Sequence, residues 1–230
     1  RDFGDTGDIS REEKDRNKES QGGRIEMTVT KIEPVTKTRY KVYVDGQFAF
    51  VLYKGELSRY HIAEDSELEE KTYQSIRKEI ILKRAKLRAM HLLNDMGRTE
   101  SQLRTKLLRN DYPSDIVEEA IAYVKSFGYI NDAEYTRSFI ENRKEKKSKK
   151  EIYAALCQKG LPKDLIETAL EECYADDDSI AAIEAIVRKK KFDPKSTDYK
   201  EMQKMMGYLV RKGFRYDDIR QVIQVSEWNA

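Results

Sequence analysis

Arg143-Lys144-Glu145-Lys146-Lys147-Ser148-Lys149-Lys150 sets six basic side chains beside one acid within eight residues. At that density, ammonium and guanidinium groups attract an anion from a distance. They then hold it through charge-assisted hydrogen bonds, whether it is a phosphate or a carboxylate-rich protein face. A solubilising loop has the same composition, so Arg143, Lys144, Lys146, Lys147, Lys149 and Lys150 are candidate contacts on chemistry alone. Two weaker basic groups accompany them. Arg77, Lys78, Lys83, Arg84, Lys86 and Arg88 recur at helical spacing, and Arg77, Lys83, Arg84 and Arg88 are taken from this stripe as candidates. The opposing reading is that such side chains lie along a helix with only their heads in water. Arg188, Lys189, Lys190 and Lys191 close a predicted helix, where cations suit the negative end of the macrodipole.

Other chemistry is sparse. The cysteines, Cys157 and Cys173, sit in apolar helical stripes, and the histidines are His61 and His91. None has the convergent spacing of a metal site, so ordinary packing or surface roles are expected and no cofactor is implied. No Gly-rich phosphate loop, H-E-x-x-H or G-x-S-x-G is present, which leaves an enzyme reading without visible chemistry. Tyr129, Tyr135 and Phe139 follow helical or turn spacing and are expected in the core. Tyr40, Tyr43 and Phe48 are expected to pack a small sheet. The interleaved basic and aromatic stripe of single-strand binders is missing.

The 230 residues are 37% charged with a net charge of +2 and a mean hydropathy of -0.81. That polarity suits a string of thin helical units better than one deep core, and a polyanion would be recognised by local clusters rather than bulk charge. No apolar run approaches the ~20 residues needed to span a bilayer. With no secretory signal ahead of Met27, a cytoplasmic location is expected.

Residues 1–26 are polar and aperiodic and read as a disordered tail or a cloning remnant. The period then becomes two: Val29 and Ile32, then Tyr40, Val42 and Val44, then Phe48, Phe50 and Leu52. Asp45-Gly46 favours a type I′ hairpin, so residues 27–62 are expected to form three antiparallel strands. Ser66-Glu-Leu-Glu69 has capping-box spacing and predicts a connecting helix over 63–84. Its apolar stripe shifts between Ile80 and Ala85, where a bend or break is expected. Thr99, Asn131, Ser148 and Asp198, each followed three residues later by Glu or Gln, predict further helix starts. Pro113, Pro162 and Pro194 stand only at starts or connections, and about nine helices are expected from Ala85 onward.

A repeat organises these helices. Leu107, Tyr112, Asp115, Val117 and Ile121 fall on Leu156, Leu161, Asp164, Ile166 and Leu170, then on Leu209, Phe214, Asp217, Ile219 and Ile223. Gly160 and Gly213 share the turn position that calls for positive φ, filled in the first copy by Asn110 or Asp111. The units are expected over 85–142, 143–195 and 196–230. Each buries its apolar stripe against a neighbour and offers a surface rather than a cleft.

The helix Ala85–Asn94, the run Arg98-Thr-Glu-Ser-Gln-Leu103, the segment Gly128-Tyr-Ile-Asn-Asp-Ala-Glu-Tyr135 and Leu156-Cys-Gln-Lys-Gly-Leu161 together resemble RecX, the bacterial regulators of the RecA recombinase. The resemblance covers roughly Ala85–Ile223 and lies in the order and spacing of these segments. Asn131 stands where the family commonly has Asp, and Arg215-Tyr216 replaces the Pro-containing turn of the earlier copies. It implies a mainly α fold of tandem three-helix, helix-turn-helix-like repeats in an elongated curved array, preceded by the small β unit. It also implies a non-enzymatic monomer that binds the RecA–single-stranded DNA filament, contacting mainly its protein with the single-stranded DNA as a further candidate contact, and restrains extension, ATP turnover and strand exchange. No membrane partner is implied. The alternative is a direct DNA-binding helix-turn-helix protein. Against it, the second helices open Ser114-Asp115, Lys163-Asp164 and Asp217-Asp218, whose carboxylates repel phosphate where a reading helix offers Arg, Asn or Gln.

Overall fold

Asp45 and Gly46 take φ of 49° and 78°, the positive pair that a type I′ turn requires, and join Val44 to Gln47 in register. The computed structural model that contains this hairpin describes residues 26–193 and 198–223, so the expected tail and Pro194 lie outside the described residues, apart from Glu26 in the first strand. The described residues fall within two compact units, Arg1–Ala85 with Leu108–Glu119, and Lys86–Leu107 with Ala120–Ala230.

In the first unit β1 (Glu26–Pro34), β2 (Arg39–Val44), β3 (Gln47–Tyr53) and β4 (Glu67–Glu69) form an antiparallel sheet in the order β3-β2-β1-β4. The sheet therefore has four strands where three were expected. The extra strand is the segment read as a capping box. Ser66 accepts the Val29 amide on its carbonyl at 2.9 Å and donates its hydroxyl to Ala63 O at 2.6 Å, so it opens no helix. Leu68 pairs with Met27 and is buried, and helix begins only at Glu70. A short helix α1 (Lys54–Arg59), absent from the sequence reading, follows β3, with the Glu56 carboxylate accepting the Tyr53 amide at 2.8 Å. Ala49, Phe50, Val51 and Leu52 are all buried. Both faces of β3 are thus covered, and alternation holds only outside that run.

From Glu70 the chain is helical without a break: α2 (Glu70–Ser75), a π segment (Ile76–Leu82) and α3 (Lys83–Asp95). The shift of stripe between Ile80 and Ala85 is absorbed by the π segment. Ile76 and Ile81 are both buried, a five-residue spacing that i→i+5 bonding brings nearer to one face than an α-helix would, and the α period resumes at Ala85, Ala89 and Leu92.

The remaining helices are α4 (Glu100–Leu108), α5 (Ser114–Ser126), α6 (Asp132–Glu141), α7 (Lys149–Gln158), α8 (Lys163–Cys173), α9 (Asp176–Lys189), α10 (Tyr199–Arg211) and α11 (Tyr216–Ile223). With α3 that makes nine from Ala85 onward among the described residues. The overlaid apolar positions are buried in all three copies, except Tyr112, which is half-buried. The cores group the helices differently from the expected boundaries. Phe139 and Ile140 of α6 pack with Ile152, Leu156, Leu161, Ile166 and Leu170 of the second copy. Ala182 and Ile183 of α9 pack with Leu209, Phe214, Ile219 and Ile223 of the third. Each of these two units thus starts one helix earlier than 143 and 196. Its first helix closes the hydrophobic face that the following pair cannot close alone.

Four helices end alike. Tyr129, Leu161, Phe192 and Phe214 donate their amides to the carbonyls of Val124, Leu156, Val187 and Leu209, around Gly128, Gly160, Lys191 and Gly213 at positive φ. In the first copy Asp111, not Asn110, takes the left-handed position, at φ 61°.

Candidate partner-binding surface

The basic junction begins where α6 stops. The Lys144 amide bonds to Ile140 O at 2.8 Å and the Lys147 amide to Arg143 O at 2.9 Å, winding the segment into turns. Ser148 then caps α7, accepting the Glu151 amide while the Glu151 carboxylate accepts the Ser148 amide. The six cations of this segment have different fates. The Arg143 guanidinium lies 3.7 Å from the centroid of the Phe139 ring. Lys144 reaches Glu141 at 3.0 Å, Asp178 at 3.8 Å and the Cys173 carbonyl at 3.3 Å, and the Glu141 hydrogen bond foremost raises its pKa. Lys147 stands 3.6 Å from Glu151. Lys146, Lys149 and Lys150 are exposed and have no ion pair among the described residues, so their charge faces solvent.

A groove of about 560 Å³ opens beside them, lined by residues of α7, α8, α9 and α11 and their turns. Lys149, Lys150 and Arg215 supply cations to its lining, and Glu167, Glu171, Asp176 and Asp218 supply carboxylates. Tyr153, half-buried, and Tyr174, buried, add rings, and the Tyr153 hydroxyl reaches Glu167 at 3.5 Å.

The arrangement is held by a joint that occurs twice. Thr99, the N-cap of α4, donates its hydroxyl to the carbonyl of Lys159 at the end of α7, 2.7 Å away. Ser148, the N-cap of α7, donates its hydroxyl to the carbonyl of Lys212 at the end of α10. Both hydroxyls are buried, and each accepting carbonyl directly precedes a glycine in the left-handed region, Gly160 or Gly213. The second residue of the capped helix packs on that glycine. A Cβ at Gly160 would come within 2.6 Å of Ser101 Cβ, and one at Gly213 within 2.7 Å of Lys150 Cβ. Glu151 adds a 2.6 Å ion pair with Lys212. Burial raises the Glu151 pKa, but the Lys212 hydrogen bond, the charges of Lys147 and Lys212 and the Ser148 amide outweigh it and hold the carboxyl below the usual range. In the third copy Asp198 caps α10, accepting the Glu201 amide at 2.8 Å, and brings no hydroxyl donor.

The other predicted cations are differently placed. Arg77 pairs with Asp115 and also donates to the Tyr73 hydroxyl at 3.2 Å. Lys83 pairs with Glu79. Arg84 pairs with Glu56, 2.5 Å away, over the Tyr53 ring. Arg88 is exposed on α3. At the end of α9, Lys190 lies over the Tyr208 ring at 4.2 Å, while Arg188, Lys189 and Lys191 are exposed.

One aromatic expectation is overturned. Tyr135 and Phe139 enter the second core, but Tyr129 is 56% exposed and stacks on Phe127, itself 59% exposed and packed edge-on against Tyr123. Lys86 completes this surface 4.6 Å from the Tyr123 centroid. The core face of α5 runs through Val117, Ala120, Ile121 and Val124. Tyr123 stands off that stripe, a signal that sequence could have given, whereas Phe127 is seven residues after Ala120 and is exposed because the helix ends at Ser126.

Comparison with known proteins matches three family models in order: RecX, first three-helix domain, over residues 85–124; RecX, second three-helix domain, over 131–170; and RecX, third three-helix domain, over 176–223. A "Regulatory protein RecX" of Caldanaerobacter subterraneus subsp. tengcongensis is 30% identical over 202 residues, 87% of this chain and 100% of the relative. One from Clostridium perfringens (strain SM101) is 26% identical over 200 residues, 86% of this chain and 94% of the relative. Among solved structures, a regulatory protein RecX aligns with TM-score 0.54 at 25% identity over 86% of this chain and 98% of its own. RecX from Lactobacillus salivarius aligns with TM-score 0.51 at 26% identity over 62% and 94%.

Proposed function

This chain belongs to the RecX family of regulatory proteins, and on that premise we propose that it docks on the RecA–single-stranded DNA filament and restrains its extension, ATP hydrolysis and strand exchange. The observation that carries the reading is the exposed triad Lys146, Lys149 and Lys150. Three ammonium groups free of internal ion pairs among the described residues sit at a turn fixed by a capping box and by the Ser148 joint. The fixed backbone gathers their charge in one place, where it attracts an anionic surface from a distance. Insertion of a reading helix into a DNA groove is disfavoured, because α8 and α11 open with Asp164 and with Asp217 and Asp218.

The test is recovery of the protein with RecA assembled on single-stranded DNA, compared with RecA alone and DNA alone. It should bind the assembled filament best. Lys146→Glu, Lys149→Glu and Lys150→Glu combined should weaken filament binding strongly and leave thermal stability nearly unchanged, since exposed charges without an ion pair contribute little to folding. Equal filament binding by wild type and folded variant would remove the junction from the contact.

A further inference from the structure

We propose that the groove beside the basic junction binds a polypeptide segment of mixed charge. An acidic side chain of that segment meets Lys149, Lys150 and Arg215, and a basic one meets Glu167, Glu171, Asp176 and Asp218. The proposal rests on the filament reading and assigns the groove to the protein component of the filament rather than to its phosphates.

Two observations carry it. The lining sets four carboxylates against three cations, yet none of the seven is in an ion pair among the described residues, although Lys144, Lys147 and Lys212 nearby all find acids. Charges of both signs therefore stand in one groove without a direct ion pair between them, and an occupant of alternating sign satisfies both sets. The second observation is sign. A phosphate backbone is anionic at every residue, so seating it against Lys149 and Lys150 also brings it to the four carboxylates, where repulsion and lost hydration oppose binding. A protein segment offers both signs within one turn of helix or a few residues of strand. The half-buried ring of Tyr153 gives its aliphatic stems a surface to lie on, and about 560 Å³ holds a few side chains rather than a whole helix.

The experiment uses the full chain carrying Glu167→Lys and Glu171→Lys, both at exposed positions of α8. Binding is measured to RecA filaments on single-stranded DNA and to the same DNA bare, across a salt series. The expected result is filament binding weakened roughly tenfold or more, even though bare-DNA affinity rises as two carboxylates that repel phosphate become ammonium groups. Filament binding that rises together with bare-DNA affinity would mean that the groove meets phosphate in the filament, and overturns the proposal. Filament binding equal to wild type overturns it as well. Glu171→Gln, which cannot create a new phosphate contact, should weaken filament binding in the same direction, and carries the test if the double variant does not fold. A wild-type chain that does not bind the filament overturns the filament reading and this one together, whereas wild-type binding with indifferent variants overturns this one alone.

Discussion

Gly160 shows how one residue can join two helical repeats. Its φ of 76° is a conformation that side chains rarely adopt, and Ser101 occupies the space a Cβ would need. Gly128 has a similar φ of 72°, with nothing within 4 Å of where a Cβ would stand, so it isolates the backbone strain. Gly128→Ala should therefore cost about 1–2 kcal/mol, the left-handed strain alone. Gly160→Ala should cost measurably more, because the α4 N-terminus must also move and the bond from Thr99 to Lys159 O is strained with it. Urea unfolding of both variants checks this, and equal costs would show that the joint yields freely.

At the scale of elements, the second core and the joint that follows it make separate predictions. Leu156 is fully buried among Ile152, Leu161, Ile166 and Leu170, and Leu156→Ala should cost about 2–5 kcal/mol as a core truncation. Loss of less than about 0.5 kcal/mol would place it at the surface. Because such units contact mainly neighbours, denaturant curves of this variant should broaden or split. Glu151 links α7 to the end of α10, and its folded pKa lies below the ordinary 4.5. The unfolded chain therefore takes up the proton first. The stability from Glu151 is complete above pH 4.5 and is lost as pH falls through the lower folded value. The stability gap between wild type and Glu151→Gln should accordingly be widest near neutrality and close in acid. A gap independent of pH would assign the effect to packing.

For the whole molecule, the prediction concerns stoichiometry. A regulator seated on a filament acts on growth and turnover of many protomers from one position, so DNA-dependent ATP hydrolysis by RecA should fall at fewer than one molecule per protomer. Titration of the protein against a fixed filament measures it. Inhibition that begins only at equimolar amounts would favour one-to-one occlusion of individual recombinase subunits.

Much of this architecture is determined by local chemistry. The repeat register, the helix starts at Thr99, Ser148 and Asp198, the hairpin turn at Asp45-Gly46 and the left-handed positions of Gly160 and Gly213 rest on neighbouring residues, and side-chain type and spacing suffice to read them. Tertiary structure decided the rest. Ser66–Glu69 has the spacing of a capping box, but pairing with β1 uses its backbone groups, and a partner some forty residues away cannot be seen in a local pattern. The grouping of α6 with α7 and α8 depends on which apolar face closes which core, and so do the exposure of Phe127 and Tyr129 and the meeting of Thr99 with Lys159 and of Ser148 with Lys212. The same holds for the basic junction. Sequence determined that six cations stand there and set Glu141 and Glu151 within one helical turn of Lys144 and Lys147, while only folding brings Asp178 to Lys144 and Lys212 to Glu151.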